Sequence, residues 1–329
     1  MKTRLFVWLL VTLMPLMSWA QTKNTVSEVR DYREVDGKII ITCIANGVEA
    51  DFVLDLAGQT AVLPEYVEKL GIDPESEGKL PYSDFQFKKV PTSKVVSINS
   101  LSFGNSAFGN GVATFVLNDE LYLRELGVAG IVGGSLFKGV VLTIDSRRKK
   151  ITMSQPYRPA YMKLDRRANA KLLQGVGMEC PVTIDGMTFS CVLDTWNRGV
   201  SELCEADFAR LNGKDCEAVS VYNGYDKTLA SSPAKVVGQC DFAKESFKEV
   251  SIPMNRSLVR SVVGTDLLKH GILSVDYLRQ TIYFQPFDLV EVKDDAIENQ
   301  VVVEPGKLNE ITGVYFRENI HDYKKGTDF

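Results

Sequence analysis

Two aspartates occupy matching places in the two halves of the 329-residue sequence. Asp55 and Asp194 each end a Val-Leu-Asp tripeptide, and each follows a turn glycine by eight residues. Two carboxyl groups that are brought together cannot both ionise easily, so such a pair shares one proton. The ionised member can then take a proton from a bridging water, while the protonated member polarises a carbonyl group. The pair therefore predicts acid–base activation of water, with the two groups titrating as a unit.

Several other kinds of catalytic site lack the residues that they would need, and a Ser–His–Asp or Cys–His site would have to use one of only two histidines. The sequence has two histidines, His270 and His321, and no Cys-x-x-Cys motif. This excludes multi-histidine metal sites, zinc ribbons and thioredoxin-type redox motifs. An aspartate pair requires neither a metal nor a cofactor, and we predict none.

A predicted β-hairpin positions each aspartate. Strand-like residues flank Asn46-Gly47 in the first half and Asp185-Gly186 in the second. These dipeptides between apolar runs are the strongest short-range signal for a two-residue hairpin turn. The aspartate ends the second strand of each hairpin, so both carboxyl groups are expected at a strand end.

A second matched block follows each hairpin. In residues 130–137 and 261–268, two apolar residues precede a glycine, Gly133 or Gly264. In both halves an apolar strand ending in aspartate follows, with that aspartate twelve residues after the glycine. Several matched spacings in the same order predict a duplicated β-rich unit.

The second hairpin also brings two cysteines together. Cys180 and Cys191 lie symmetrically about Asp185-Gly186, so a two-residue turn makes them face each other. They either form a disulfide, which requires strict geometry, or remain small buried thiols. The sequence leaves both alternatives open.

The first twenty residues have the features of a secretory signal peptide. Lys2 and Arg4 precede a short apolar core at 5–13, and Ser18-Trp-Ala20 supplies small residues before a cleavage site. We therefore predict an exported protein, periplasmic or secreted. No later apolar run approaches the length of a spanning helix, so no stable membrane span is predicted.

The composition is that of a globular protein without a nucleic-acid partner. The chain is 45% hydrophobic and 24% charged, which excludes a disordered or fibrous class. Its formal net charge is −4, so it has no basic excess with which to hold phosphates.

The aspartate segments carry a resemblance to a known family. Residues 52–58 (Phe-Val-Leu-Asp-Leu-Ala-Gly) and 191–197 (Cys-Val-Leu-Asp-Thr-Trp-Asn), with the later Ile-Val-Gly133 and Val-Val-Gly264, resemble the retropepsin-like and pepsin-like aspartic proteases. The resemblance covers about residues 36–287. It implies that Asp55 and Asp194 correspond to the catalytic aspartates.

The sequence departs from the family pattern beside each aspartate. The family has Thr or Ser at the next position, where a hydroxyl ties the two loops together; Thr195 keeps it and Leu56 does not. The following family position is glycine, which is Ala57 in one half and Trp196 in the other, while Gly58 comes one position late. Both motifs, Asp-Leu-Ala-Gly and Asp-Thr-Trp-Asn, are therefore degenerate.

The predicted fold is mainly β, with two similar aspartic-protease-like β-barrel lobes related by a pseudo-two-fold axis and a cleft between them. Asp55 and Asp194 should face each other across that axis, at hydrogen-bonding distance or one water apart. The predicted divisions are a signal peptide at 1–20, an N-terminal segment at 21–35, lobe 1 at 36–155, a linker at 156–171, lobe 2 at 172–287 and a C-terminal extension at 288–329.

The predicted function is that of an exported aspartic-protease homologue. It takes an extended peptide or protein into the cleft, where Asp55 and Asp194 hydrolyse a peptide bond. The alternative is a catalytically inactive pseudo-protease that binds a peptide or protein partner in the same cleft. A structural envelope module without a ligand is the third option.

Trp196 bears on this choice, because it is the only tryptophan outside the predicted signal peptide. An indole that plugs the cleft floor favours the pseudo-protease. An indole that turns away into lobe 2 and leaves the carboxylates open favours catalysis.

Overall fold

The computed structural model describes residues 26–78, 92–117, 121–173, 177–225, 229–289 and 315–316. The predicted signal peptide and most of the predicted C-terminal extension lie outside the described residues. The fold is mainly β, with 55% strand and 11% helix, which confirms the predicted class. Within the described part of the chain, every helix is too short or too polar to cross a membrane.

The described residues of the first half form ten strands and a few short helices. The strands are β1 (Val26–Asp31), β2 (Arg33–Val35), β3 (Lys38–Ala45), β4 (Val48–Asp55), β5 (Ala61–Val62), β6 (Thr92–Phe103), β7 (Ser106–Leu117), β8 (Gly130–Gly133), β9 (Val141–Asp145) and β10 (Lys150–Gln155). The described helices are α1 (Pro64–Lys69), α2 (Leu121–Glu125) and a 3₁₀ turn at Gly134–Phe137.

The described residues of the second half also form strands and short helices. Its strands are β11 (Arg167–Asn169), β12 (Lys171–Leu173), β13 (Gly177–Ile184), β14 (Met187–Leu193), β15 (Ser201–Glu202), β16 (Lys214–Asp215), β17 (Val219–Tyr222), β18 (Leu229–Ser232), β19 (Ala234–Phe242), β20 (Glu245–Pro253), β21 (Val262–Val263), β22 (Gly271–Asp276), β23 (Thr281–Pro286) and β24 (Tyr315–Phe316). The described helices are α3 (Glu205–Phe208) and 3₁₀ turns at Thr265–Lys269 and Phe287–Leu289.

The two predicted hairpins are present as β3–β4 and β13–β14. Their turn residues all have positive φ: 49° and 85° at Asn46 and Gly47, 45° and 80° at Asp185 and Gly186. A type I′ turn needs this at both central positions, which explains why asparagine, aspartate and glycine occupy them. Each hairpin thus follows from local turn chemistry.

Cys180 and Cys191 are directly opposite each other in the second hairpin, as the turn predicted. Both side chains are buried, and both are free thiols. The structure therefore contains the second of the two alternatives, a pair of small buried thiols in the ladder.

Two barrel-like lobes result from the strand pairing. In lobe 1 the strands close into a six-stranded barrel in the order β3-β4-β8-β5-β7-β6, with β6 pairing β3 again. Lobe 2 is a half-barrel built on β15-β21-β14-β13-β19, with β12, β16 and β20 at its sides.

In both lobes the strand that leads to the aspartate pairs in parallel with the apolar-apolar-Gly segment. In lobe 1, β4 pairs β8 with Val53 opposite Ile131. In lobe 2, β14 pairs β21 with Val192 opposite Val262. The two matched sequence blocks therefore meet in the same register in each lobe, and they hold each aspartate loop from one side.

A six-stranded antiparallel sheet joins the lobes, in the order β1-β10-β9-β22-β23-β11. At its centre, β9 of lobe 1 pairs β22 of lobe 2 with Thr143 opposite Ser274, and their hydroxyl oxygens lie 2.6 Å apart. These residues hold the same place in the matched blocks Leu-Thr-Ile-Asp and Leu-Ser-Val-Asp. A directly opposed antiparallel pair lies on a local two-fold axis of the ladder, so β9 and β22 are related by such an axis at this pair.

Candidate active site

Asp55 is held by its own loop and by a side chain of the other lobe. It ends β4 with 1% of its surface exposed. Its Oδ1 accepts hydrogen bonds from the N–H groups of Ala57 (3.0 Å) and Gly58 (2.9 Å). Its Oδ2 accepts a hydrogen bond from the hydroxyl of Tyr225 (2.8 Å).

Asp194 has a matching set of donors and is also 1% exposed. Its Oδ1 accepts the N–H groups of Trp196 (2.7 Å) and Asn197 (3.3 Å). Its Oδ2 accepts the side-chain amide of Asn197 (2.8 Å). In both loops, therefore, the N–H groups two and three residues after the aspartate point at its carboxyl group, because each loop turns tightly there.

Thr195 ties the two aspartate loops together. Its hydroxyl oxygen accepts the N–H of Leu56 (3.0 Å), and its hydroxyl donates to the carbonyl oxygen of Leu54 (2.7 Å). The Asp55 loop makes no matching side-chain hydrogen bonds to the Asp194 loop at the corresponding position, because that position is Leu56, which is buried and has an aliphatic side chain. The loops that flank Asp55 and Asp194 are thus joined through one hydroxyl.

Glycines provide the space in which each aspartate loop packs within its own lobe. A Cβ added at Gly58 would lie 2.5 Å from Oδ2 of Asp55, and one at Gly133 would lie 2.5 Å from the carbonyl oxygen of Gly58. A Cβ at Gly264 would overlap the backbone oxygen of Arg198 in the other loop. Gly133 and Gly264 therefore pack against the two aspartate loops in the same way.

Trp196 lies between the lobes and is fully buried. Its Nε1–H donates to the carbonyl oxygen of Gly224 (3.0 Å), beyond the end of β17. Its ring packs edge-on against Tyr225 and Tyr122, with centroids 4.7 and 5.7 Å away, and against Tyr222 at 6.0 Å. Tyr122 belongs to lobe 1 and the other two to lobe 2, so the indole fills the space where the lobes meet.

Lys38 is a charged residue of the site that the sequence did not reveal. It begins β3, is 0% exposed, and donates from Nζ to the carbonyl oxygen of Trp196. A lysine directly after the Asp36-Gly37 turn has the local signature of a solvated side chain, so no sequence signal pointed to its burial. Tyr225 was missed for a similar reason, since it follows Asn223-Gly224 and resembles an ordinary turn residue.

The surroundings of the two aspartates raise the pKa of both. Burial raises the pKa of Asp55, although hydrogen bonds from Tyr225 and the loop N–H groups oppose this shift. The pKa of Asp194 is raised well above its usual value by burial and next by the negative charge of Asp55. The negative charge of one aspartate therefore disfavours ionisation of the other, and the two groups titrate as a coupled pair.

The aspartates are covered in this conformation. The β17–β18 hairpin carries Tyr222, and Tyr225 in its connection reaches Asp55. Two surface cavities of about 420 and 470 Å³ in the described part of the protein have neither aspartate in their lining. The described residues also contain no group of three or more His, Cys, Asp or Glu placed to hold a metal ion.

The sequence matches no protein-family model and none of the curated proteins. Among solved structures it is similar to a retropepsin-like aspartic protease from Rickettsia conorii, with 22% sequence identity and a TM-score of 0.28. That likeness covers 40% of this chain and 92% of the other. It is a weak hint of a related fold and does not assign the chain to a family.

Proposed function

We propose that this protein is an exported aspartic-type peptide hydrolase in which Asp55 and Asp194 activate a water molecule. The observation that carries the proposal is the matching support of the two carboxyl groups. Each Oδ1 accepts two loop N–H groups, and one threonine hydroxyl fastens the two loops to each other. Support of this kind is what a pair of acids needs to keep a fixed geometry while protons move.

The mechanism follows from one shared proton. The ionised carboxylate takes a proton from water as the water oxygen bonds to the peptide carbonyl carbon. The protonated carboxyl group of the pair donates to the carbonyl oxygen, which becomes a hydroxyl group. Transfer of a proton to the amide nitrogen then allows the C–N bond to break, which yields a carboxylic acid and an amine.

The fold and the N-terminus support the rest of the proposal. Identical registers in β4–β8 and β14–β21 favour an internal repeat, which would supply one aspartate from each copy. A cleft that opened between the two lobes would suit an extended peptide. The charged start and apolar core of residues 1–20 favour export to the periplasm or beyond.

A second candidate is a pseudo-protease that binds a peptide or protein without hydrolysing it. Two observations favour it: Trp196 fills the meeting point of the lobes, and the hydroxyl of Tyr225 already donates to Asp55. The hydroxyl of Tyr225 takes one carboxyl oxygen of Asp55, which a catalytic water would need, and the indole fills space between the lobes that a substrate would need.

Hydrolysis of a mixed peptide library separates the two candidates. The chain without residues 1–20 is incubated with the library from pH 4 to 8, and the products are identified by mass spectrometry. The hydrolase predicts cleavage that Asp55→Asn and Asp194→Asn each abolish, with the exposed Asp165→Asn as the matched control. Peptide binding without cleavage supports the pseudo-protease, and cleavage that survives in both dyad variants contradicts the proposal.

A further inference from the structure

Lys38 is the only lysine or arginine in the described residues whose side chain is buried in the core of the protein. It begins β3, the strand that pairs with β4 and so runs beside the residues that lead to Asp55. Removing an ammonium group from water is costly unless hydrogen bonds and opposite charges compensate. The surroundings of Lys38 supply both.

The hydrogen bond of Lys38 leads directly to the second aspartate. Nζ of Lys38 donates to the carbonyl oxygen of Trp196, and the N–H of the same residue donates to Oδ1 of Asp194 at 2.7 Å. A lobe 1 side chain therefore holds the backbone of the lobe 2 loop at the residue that supports its carboxyl group. The contact is independent of the hydroxyl tie made by Thr195.

Aromatic rings enclose the ammonium group. Nζ lies 3.6 Å from the ring centroid of Tyr222, 4.4 Å from that of Trp196 and 5.9 Å from that of Tyr122. Ring faces attract a cation within about 6 Å, and the attraction is larger when water is excluded. The rings thus stabilise a charge here and also keep solvent away from it.

Charged and titratable groups from both lobes surround Lys38. Three buried carboxyl groups favour its charged form, and the partly exposed Arg198 opposes it. Arg198 forms an ion pair with Asp36, and Asp36 also accepts the hydroxyls of two tyrosines. In the described part of the chain, these groups are Asp55, Asp194, Glu202, Arg198, Asp36, Tyr122, Tyr222 and Tyr225.

Resting on the proposed function, we propose that Lys38 is a positioning residue of the aspartate pair. It fixes the loop that carries Asp194 and supplies the positive charge that keeps one carboxyl group of the pair ionised near neutral pH. A pair with one proton has a charge of −1, and the ammonium group makes the buried unit neutral. Burial and the charge of Arg198 lower the pKa of Lys38 to about 7, so its charge is sensitive to pH near neutrality.

Trp196 reports on Lys38 without any substrate. Its emission is recorded from pH 5.5 to 8.5 in the wild type, in Lys38→Met and in Lys69→Met. Lys69 is a matched control because it stacks on Tyr66 at 4.6 Å on the exposed surface of α1. We expect a transition near pH 7 in the wild type and in Lys69→Met, and its loss in Lys38→Met. His270→Gln should retain the transition, which excludes the described histidine as its source.

The pH profile of hydrolysis tests the effect on the aspartates. Loss of a neighbouring positive charge disfavours the ionised carboxyl group, so both limbs of the profile should move to higher pH by about one unit in Lys38→Met. Lys69→Met should keep the wild-type profile. A Lys38→Met protein with the wild-type profile overturns the inference, as does one with the wild-type emission transition.

A measurement on the wild type covers the case in which Lys38→Met does not fold. Carbon NMR of the lysine ε positions should show one lysine that titrates near neutral pH, far below the ordinary lysine range. If one lysine is in its neutral form throughout pH 5.5 to 8.5, the inference is wrong, because the aspartate pair then has no positive charge beside it. This result is separate from the function itself, because dyad-dependent cleavage would then still support the proposed hydrolase.

Discussion

The hydroxyl of Tyr225 donates to Oδ2 of Asp55 across 2.8 Å, from the opposite lobe. The matching donor at Asp194 is the amide of Asn197, three residues after the aspartate. Three residues after Asp55 stands Gly58, where a Cβ would collide with both Asp55 and the Tyr225 hydroxyl. Tyr225 therefore supplies to one aspartate what Asn197 supplies to the other, and the two sites differ in sequence while their hydrogen bonding is alike.

Replacing Tyr225 by phenylalanine should destabilise the folded protein. The variant loses one buried hydrogen bond to a carboxyl group, and we expect a loss of about 1–3 kcal/mol in the free energy of unfolding. Urea unfolding of the wild type and Tyr225→Phe measures the difference, with the half-buried Tyr66→Phe as control. Equal stability of Tyr225→Phe and wild type would contradict the role assigned to this hydroxyl.

Replacing Thr195 by valine should separate the aspartate loops. The substitution leaves the Leu56 N–H and the Leu54 carbonyl buried without their partner, at an expected cost of about 2–4 kcal/mol. Thr114→Val is the control, because Thr114 is equally buried but its hydroxyl bonds only within its own strand, to Val112 at 3.0 Å. Denaturant unfolding should show a clearly smaller loss for the control; similar losses would mean that the cross-tie adds nothing specific.

The aspartate pair should make stability fall as pH rises. The folded-state pKa values of Asp55 and Asp194 lie above the unfolded value, so the native state holds protons that the unfolded chain has already lost. Their contribution is complete below the unfolded value of about 3.9 and is lost as pH rises through the folded pKa values. Unfolding measured from pH 3.5 to 7 should have this slope in the wild type and a flatter one in Asp55→Asn/Asp194→Asn. An unchanged slope would show that the pair does not retain a proton.

Lys38 should make the free energy of unfolding rise with pH above about pH 7, in contrast to the aspartate pair. Its folded pKa of about 7 lies below the unfolded value of 10.5, so the unfolded chain binds more protons between these limits. Its contribution to stability therefore grows from about pH 7 to 10.5 and is lost as pH falls through 7. The free energy of unfolding, followed over this range, should rise less in Lys38→Met than in the wild type or Lys69→Met.

A ligand in the cleft should change the emission of Trp196. Its indole contacts Gly224, Tyr225 and Tyr122. Of these, Tyr225 also donates a hydrogen bond to Asp55. An extended peptide or a statine-type inhibitor that reaches the aspartates must disturb these contacts. Binding established by calorimetry, with no change in emission, would place the ligand elsewhere.

The parts of the site that follow from local chemistry were open to prediction. Asn46-Gly47 and Asp185-Gly186 specify their hairpins through positive φ, and the fold class follows from strands of this length and spacing. The apolar-apolar-Gly segments could be matched because they repeat, and the structure pairs them in one register.

Lys38 and Tyr225 could not be predicted, because their partners are distant in sequence. Lys38 meets Trp196 across 158 positions, and Tyr225 meets Asp55 across 170. Hydropathy and turn signals describe only the neighbours of each residue, and by those signals a lysine after a turn belongs in water. The burial of Lys38 depends on rings and carboxyl groups that only the assembled lobes bring together.

The sheet that joins the lobes has a consequence for the order of folding. Its strands are β1, β9–β10, β11 and β22–β23, and its contacts join residues that are far apart in the sequence, such as Val29 with Thr152 and Thr143 with Ser274. Contacts of such high sequence separation form late, because closing a long loop costs entropy before any contact repays it. Thr143 can meet Ser274 only after β22 has been synthesised and β9 is in place. The two carboxyl groups are consequently brought together at the end of folding, and a partly made chain has one aspartate without its partner.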